Sequence, residues 1–221
     1  MREMYTQELT QLGNHMARMA HQVARAINRA SRALEEGDVA LAEQTIDADE
    51  RIDALAYTVD ETCTDLLALQ APVAGDLRLI VTGLRMAQTL ERMGDLARNI
   101  AAVARNSSST NNLPDEIADV LRRMGERARA TGQAVSTLMD GPDSELATKI
   151  QNDDDLMDDL HVELHRLLLN PDMNLEPAQL INLTLVGRYY ERFGDQATNV
   201  GRNIVYLIEG EMYRRAQAEN L

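Results

Sequence analysis

Glu91 and Asp95 stand four residues apart, and Glu191 and Asp195 repeat that spacing one hundred residues later. Their surroundings repeat as well. Glu91-Arg-Met-Gly-Asp-Leu-Ala-Arg-Asn-Ile100 matches Glu191-Arg-Phe-Gly-Asp-Gln-Ala-Thr-Asn-Val200 in Glu, Arg, Gly, Asp, Ala and Asn, with Met/Phe and Ile/Val as hydrophobic swaps. A second acidic pair recurs in register with the first. Asp49-Glu-Arg-Ile-Asp53-Ala-Leu55 matches Asp154-Asp-Leu-Met-Asp158-Asp-Leu160 as Asp-x-x-(Ile/Met)-Asp-x-Leu. Self-similarity at a fixed period marks a duplicated unit. On a helix, residues four apart share one face at about 6 Å, so each pair projects together.

Carboxylates brought together repel by about 4 kcal/mol per close pair near a protein surface, so they call for cations or protons. Hard metals with oxygen ligands (magnesium, manganese, iron or calcium) suit such a set, and the single Cys63 argues against a structural zinc site. Gly94 and Gly194 sit between the two acids in each copy. A glycine inside a helix costs about 1 kcal/mol relative to alanine, so its place there implies a close approach to the backbone. The simpler reading of any one such pair is a solvated helix face with ion pairs, as Asp95 with Arg92 or Arg98 would make. Two copies, each facing a second aspartate pair, favour metal.

The elements that must position these residues follow from hydrophobic spacing. Residues 3–36 predict one long helix, with Leu9, Leu12, Met16, Met19, Val23, Ile27, Ala30 and Leu34 at helical intervals. Gly37 stops it and Asp38 caps a second helix running to about Gln70, with Leu41, Ile46, Ile52, Leu55, Val59, Leu66 and Leu69 as its apolar set. Pro72 ends that helix, and a third spans 74–106 with Leu79, Met86, Leu90, Met93, Ala97 and Ile100 facing inward. The polar stretch from Asn106 to Pro114 reads as a linker. Helices over 115–139, 143–169 and 178–215 repeat the plan, separated by Gly141-Pro142 and by the turn from Asn170 to Pro177. The expected fold is all-α: two tandem antiparallel three-helix bundles related by internal duplication, over 1–106 and 115–221, joined by the linker 107–114.

Folding the second and third helices as a hairpin about residue 72 brings Asp53 level with Glu91, and Asp49 level with Asp95. A turn centred within Asn170–Pro177 does the same for Asp158 with Glu191 and Asp154 with Asp195. The candidate metal ligands are therefore Asp49, Asp53, Glu91 and Asp95 in one cluster, and Asp154, Asp158, Glu191 and Asp195 in the other. A helical wheel turns them away from the core stripe, so both sites are expected to be shallow and at the surface. Leu77, Val81 and Leu84 continue that face as exposed-looking apolar residues, which suggests a partner or dimer contact beside the first site. Asn99 and Asn199 are read either as outer ligands or as bonding neighbouring side chains. His161 and His165 extend the Asp154–Asp158 face, but their counterparts Ala56 and Asp60 are not histidines, so they are read as surface residues.

Composition narrows the function classes. The net charge is −14 and Lys149 is the only lysine, which argues against nucleic acid. No stretch approaches the roughly 20 apolar residues of a membrane span, and the first residues lack a signal peptide's hydrophobic run. A cytoplasmic protein is the expectation. Cys63 falls in an apolar helical pattern and reads as inert packing. There is no Gly-rich phosphate loop, nucleophile elbow, triad or inward Glu-x-x-His pair, so the chain is not expected to be an enzyme. The alternatives are a structural scaffold whose acidic faces are solvated ion pairs and, behind it, a metal-dependent enzyme.

The paired Glu-Arg-x-Gly-Asp-x-Ala-x-Asn segments, the Asp-x-x-(Ile/Met)-Asp motifs and the Asp76-Leu-Arg78 entry to the third helix closely resemble the PhoU family, accessory proteins of the bacterial phosphate-specific transport system. The resemblance runs from the first helix to about residue 215. It implies the tandem three-helix-bundle fold and multinuclear clusters of iron or zinc, or magnesium or manganese, on the eight acids named above. It also implies a negative regulator of the phosphate-starvation response that couples the phosphate ABC transporter, through its ATPase subunit, to a sensor histidine kinase. Such proteins bind the cytoplasmic side of those assemblies and commonly form homodimers. Thr198 stands where Arg98 would be and Ala178 where Arg78 would be, which implies unequal affinity at the two sites.

Overall fold

The structure is a computed structural model that describes residues 2–70, 72, 74–106 and 112–209. Residues 107–111 of the expected linker and 210–215 of the expected last helix lie outside the described residues. The first unit comprises α1 (Arg2–Glu36), α2 (Val39–Ala48), α3 (Glu50–Gln70) and α4 (Ala74–Arg105). The second comprises α5 (Asp115–Asp140), α6 (Ser144–Asn152), α7 (Asp155–Leu168), a single 3-10 turn at Pro171–Met173 and α8 (Pro177–Glu209). Each unit is three helical columns packed together, with α2–α3 and α6–α7 as the middle column. No described helix is long and apolar enough to cross a membrane.

The punctuation is local chemistry. Gly37 ends α1 at φ +67°, a conformation that costs glycine nothing and other residues a steric clash. Asp38 then accepts a hydrogen bond from the Leu41 amide at 2.9 Å, satisfying one of the free N–H groups at the start of α2. Asp143 does the same for α6, accepting from Glu145 at 2.8 Å and Leu146 at 3.2 Å.

The middle columns differ from the expectation of unbroken helices over 38–70 and 143–169. Each has a jog at the first aspartate of its Asp-x-x-(Ile/Met)-Asp motif. Asp49 keeps helical dihedrals (φ −62°, ψ −36°), yet its N–H bonds the carbonyl of Ile46 at 3.2 Å, three residues back, instead of four. Its carbonyl then receives the Ile52 N–H at 2.8 Å and the Asp53 N–H at 3.2 Å. Asp154 reproduces the second half of this pattern with Met157 at 2.8 Å and Asp158 at 3.2 Å. A one-residue tightening leaves the 3.6-residue period nearly intact, so hydrophobic spacing does not reveal it.

The two units share one continuous hydrophobic core. α1 crosses α5 and α4 crosses α8, with Tyr190 and Phe193 of α8 fully buried at the junction. Arg78 at the start of α4 lies 5.9 Å over the Tyr206 ring near the end of α8, so this pair runs antiparallel. Two apolar assignments shift: Leu69 is 76% exposed, beyond the end of the core, and Leu79 is only half-buried while Ile80 is fully buried.

Candidate functional site

The hairpin of α3 and α4 brings the first four carboxylates into one neighbourhood. Asp53 and Glu91 line a groove of about 320 Å³ together with Asp60, Tyr57, Gln88 and Leu84. Asp49 and Asp95 share a guanidinium: Arg98 places Nε 3.2 Å from Asp49 Oδ2 and Nη2 2.6 Å from Asp95 Oδ1. The level pairing of Asp53 with Glu91, and of Asp49 with Asp95, is thus the arrangement of the folded chain.

Its depth is not what the helical wheel suggests. Asp49 is 5% exposed, so the cluster has a buried floor and an open rim rather than a shallow surface. The reason lies on the facing helix. A Cβ on Gly94 would sit 3.0 Å from Asp49 Oδ1 and 2.8 Å from Ile52 Cδ1. The close approach that the glycine permits is that of α2–α3 itself. A Cβ on Gly194 would likewise collide with the Asp154 carboxylate. Asp154 occupies the capping position of α7 but makes no capping bond; its Oδ2 instead accepts from Thr198 Oγ1 at 3.1 Å. In each copy, the aspartate at the jog of the middle column is turned onto the facing helix, Asp49 to Arg98 and Asp154 to Thr198.

Burial pushes both of these carboxyls up to about 6. For Asp49 the Arg98 guanidinium opposes the rise, while Asp53, Asp95 and Glu91 add to it. For Asp154 the Thr198 hydroxyl opposes it, and Asp195, Asp158 and Asp155 add. Glu91 and Glu191 are also raised, first by burial and then by their neighbours Asp95 and Asp195. The acids that raise each of these four carboxyls belong to its own unit.

The sets are not equivalent. The first carries Arg98 as a built-in cation. In the second, Thr198 supplies a hydroxyl, and the cation at hand is Arg188, whose Nη1 bonds Glu191 Oε1 from the exposed rim. The other oxygen, Glu191 Oε2, is buried with no hydrogen-bond partner. His161 is half-buried against Gly187, where a Cβ would lie 3.2 Å from the imidazole Cδ2. Its ring lies 4.3 Å from that of His165 between centroids, tilted by 52°, and its Nε2 is a second buried atom without a partner. It is therefore more than the surface residue expected, whereas His165 is exposed. Burial depresses the His161 imidazole, with His165 and Arg188 adding to that effect. The signal for this difference was in the repeat: His161 faces Gly187, where the first unit pairs Ala56 with Ala87.

Among the described residues, no three His, Cys, Asp or Glu side chains converge closely enough to hold a metal ion as they stand. Asn199 Oδ1 accepts from Arg202 at 3.3 Å, so it bonds a neighbouring side chain. Leu77 is 41% exposed, but Val81 and Leu84 are half-buried, and Leu84 forms part of the acidic groove wall. Tyr57, 67% exposed on that same groove, was missed; its position one turn beyond Asp53 was the available signal.

Comparison with known proteins agrees with the duplicated architecture. A family model described as the PhoU domain matches residues 16–104 and again 121–204. A phosphate-specific transport system accessory protein, PhoU homolog 2 of Mycobacterium tuberculosis, is 37% identical over 210 residues, covering 95% of this chain and 99% of its own. A PhoU homolog of Xylella fastidiosa is 32% identical, covering 94% of this chain and 87% of its own. The crystal structure of PhoU from Pseudomonas aeruginosa superposes with a TM-score of 0.86 at 27% identity, over 94% of this chain and all of that one. That of the phosphate transport system regulatory protein PhoU from Streptococcus pneumoniae gives 0.83 at 25% identity. With two domain matches in tandem, relatives alike over nearly their whole length and the same helical architecture, this chain belongs to the PhoU family.

Proposed function

We propose that the chain is a cytoplasmic, metal-binding adaptor that keeps the phosphate-starvation response off. It would do so by contacting the ATPase subunit of the phosphate ABC transporter and the cytoplasmic region of its sensor histidine kinase. The observation that carries the metal half is the twice-built carboxylate cluster, each with an aspartate held at raised pKa over a glycine on the facing helix. Charge that is costly to bury without a partner is what a divalent or trivalent cation (iron, zinc, magnesium or manganese) would relieve. Asp154, Asp158, Glu191 and Asp195 would hold such an ion in the second unit, and Asp49, Asp53, Glu91 and Asp95 in the first. The bound ion would neutralise each cluster and fix the α3–α4 and α7–α8 hairpins.

The donor sets fit unequally. The second cluster has an unpartnered buried oxygen on Glu191 and a guanidinium, Arg188, paired with that residue alone, whereas Arg98 already spans Asp49 and Asp95 in the first. Metal should therefore fill the second cluster first, and the first only as Arg98 swings out. Thr198→Arg supplies a counterpart of Arg98. Isothermal titration with manganese is expected to show the tighter site weakened by at least about tenfold, a loss of roughly 1.4 kcal/mol.

Leu77 and the acidic rim give the adaptor role a surface, in a second copy of the chain or in a partner. Pull-down by the ATPase subunit and by the kinase cytoplasmic region tests that role. Retention of the full chain by either, reduced for Leu77→Asp, supports it. Retention by neither sinks it. Steady turnover of phosphate esters by purified protein would instead favour a metal-dependent enzyme.

A further inference from the structure

We propose that the groove between α1 and α5 binds a phosphate-type oxyanion, at a place distinct from both carboxylate clusters. His21, Arg25 and Arg29 share one face of α1 at four-residue spacing, with Asn28 three residues after Arg25. Arg129, Gln133 and Ser136 share the facing side of α5. The helices run antiparallel here: Ser136 Oγ meets His21 Nδ1 at 2.8 Å, and Gly132 lies against Ile27 and Ala24. That register brings Gln133 level with Arg25, and Arg129 level with Arg29. Together these side chains, with Ala24 and Ala130 between them, enclose about 510 Å³.

The charge balance of this groove is opposite to that of the molecule. The chain carries −14, yet three guanidiniums and no carboxylate line the groove. Two acids outside the lining engage its residues: Glu35 takes one nitrogen of Arg129 at 3.1 Å, and Asp140 takes His21 Nε2 at 3.0 Å. Among the described residues, Arg25 and Arg29 have neither an ion pair nor a hydrogen bond. Like charges four apart on a helix are mutually unfavourable unless something neutralises them. The small residues Ala24 and Ala130 line the groove between the long arginines. Planar guanidinium forks match phosphate oxygens two at a time, and Asn28 and Gln133 add neutral donors suited to the remaining oxygens. A field of local positive sign inside an acidic surface concentrates anions there.

The phosphate group could be free or carried on a lipid headgroup, and the test separates the two. Inorganic phosphate is titrated calorimetrically into the full chain with chelator present, so that no metal on the carboxylates can recruit it. Saturable binding is expected, weakened by about tenfold or more in Arg25→Gln/Arg29→Gln and unchanged in Arg92→Gln on α4. Vesicles of phosphatidylglycerol, compared with phosphatidylcholine, report a lipid-borne group by co-sedimentation that the double variant loses. No saturable response in either arm, or equal binding by the double variant, would overturn the proposal. Should the double variant fail to fold, phosphate protection of Arg25 and Arg29 from a guanidinium-specific reagent reads the same contact. Unprotected arginines would count against the site.

Discussion

Metal-free protein in which Asp49 or Asp154 is replaced by Asn should be more stable than the parent at pH 7 and nearly equal to it at pH 4. Both carboxyls are raised from an ordinary 3.8 to about 6 by burial in the folded chain. A raised carboxyl contributes its full stabilisation below the unfolded value, near pH 4, and loses it as pH rises through about 6. The difference corresponds to roughly 3 kcal/mol for Asp49, whose side chain is 6% exposed, and less for the half-buried Asp154. Asn keeps the shape and, at position 154, the acceptor for the Thr198 hydroxyl. At position 49 it leaves Arg98 with Asp95. Thermal unfolding in chelator at the two pH values measures the effect, with a gain at pH 7 of roughly 3–10 °C expected for a chain of this length. Comparing variant with parent at each pH removes the general effect of relaxing a net charge of −14. Under the proposed metal binding, added metal should reverse the order, because only the parent would keep every carboxylate of the proposed ligand set.

Gly201→Ala and Gly132→Ala should each destabilise the fold by about 1–3 kcal/mol, although alanine is the better helix former by about 1 kcal/mol. At Gly201 a Cβ would stand 2.8 Å from the backbone carbonyl of Ala147, so α6 itself must retreat. At Gly132 it would stand 2.7 Å from Ile27 Cγ2, a branched methyl with no free rotation, and 3.4 Å from Ala24 Cα. Gly13→Ala provides the opposite sign. Within α1 it meets nothing within 4 Å, so alanine should stabilise by about 0.5–1 kcal/mol. Urea unfolding of the three variants ranks them. A stabilised Gly132→Ala would mean that the α1–α5 crossing is looser than described.

The pairing of Asp53 with Glu91, and of Asp49 with Asp95, was legible because both hairpin arms are regular helices and the turn has one centre. A repeat in register fixed the second cluster by the same argument. Depth was not legible. A helical wheel for α4 places Glu91 and Asp95 away from the core stripe, but it holds no information about the helix lying over Gly94. Asp49 is buried because that glycine lets α3 settle onto α4. The jogs at Asp49 and Asp154 escaped for another reason: their dihedrals stay helical while the hydrogen bonds shift by one residue. Thr198 in place of Arg98 was visible as a departure in the repeat. That the arginine bridges Asp49 and Asp95 follows only from the folded distances. Nor did the polar stretch over 107–114 disclose that the two units share a core through Tyr190 and Phe193.

Metal occupancy tests the central reading most directly. The full chain is purified without chelator and compared with Asp95→Ala and Asp195→Ala by elemental analysis, followed by titration of the stripped proteins with manganese or iron. Bound metal in the parent is expected, with the tighter site lost in Asp195→Ala and the weaker one in Asp95→Ala. Metal-free parent protein that takes up none on titration and behaves as both variants do would contradict it, leaving these carboxylates as ion-paired faces of a helical scaffold.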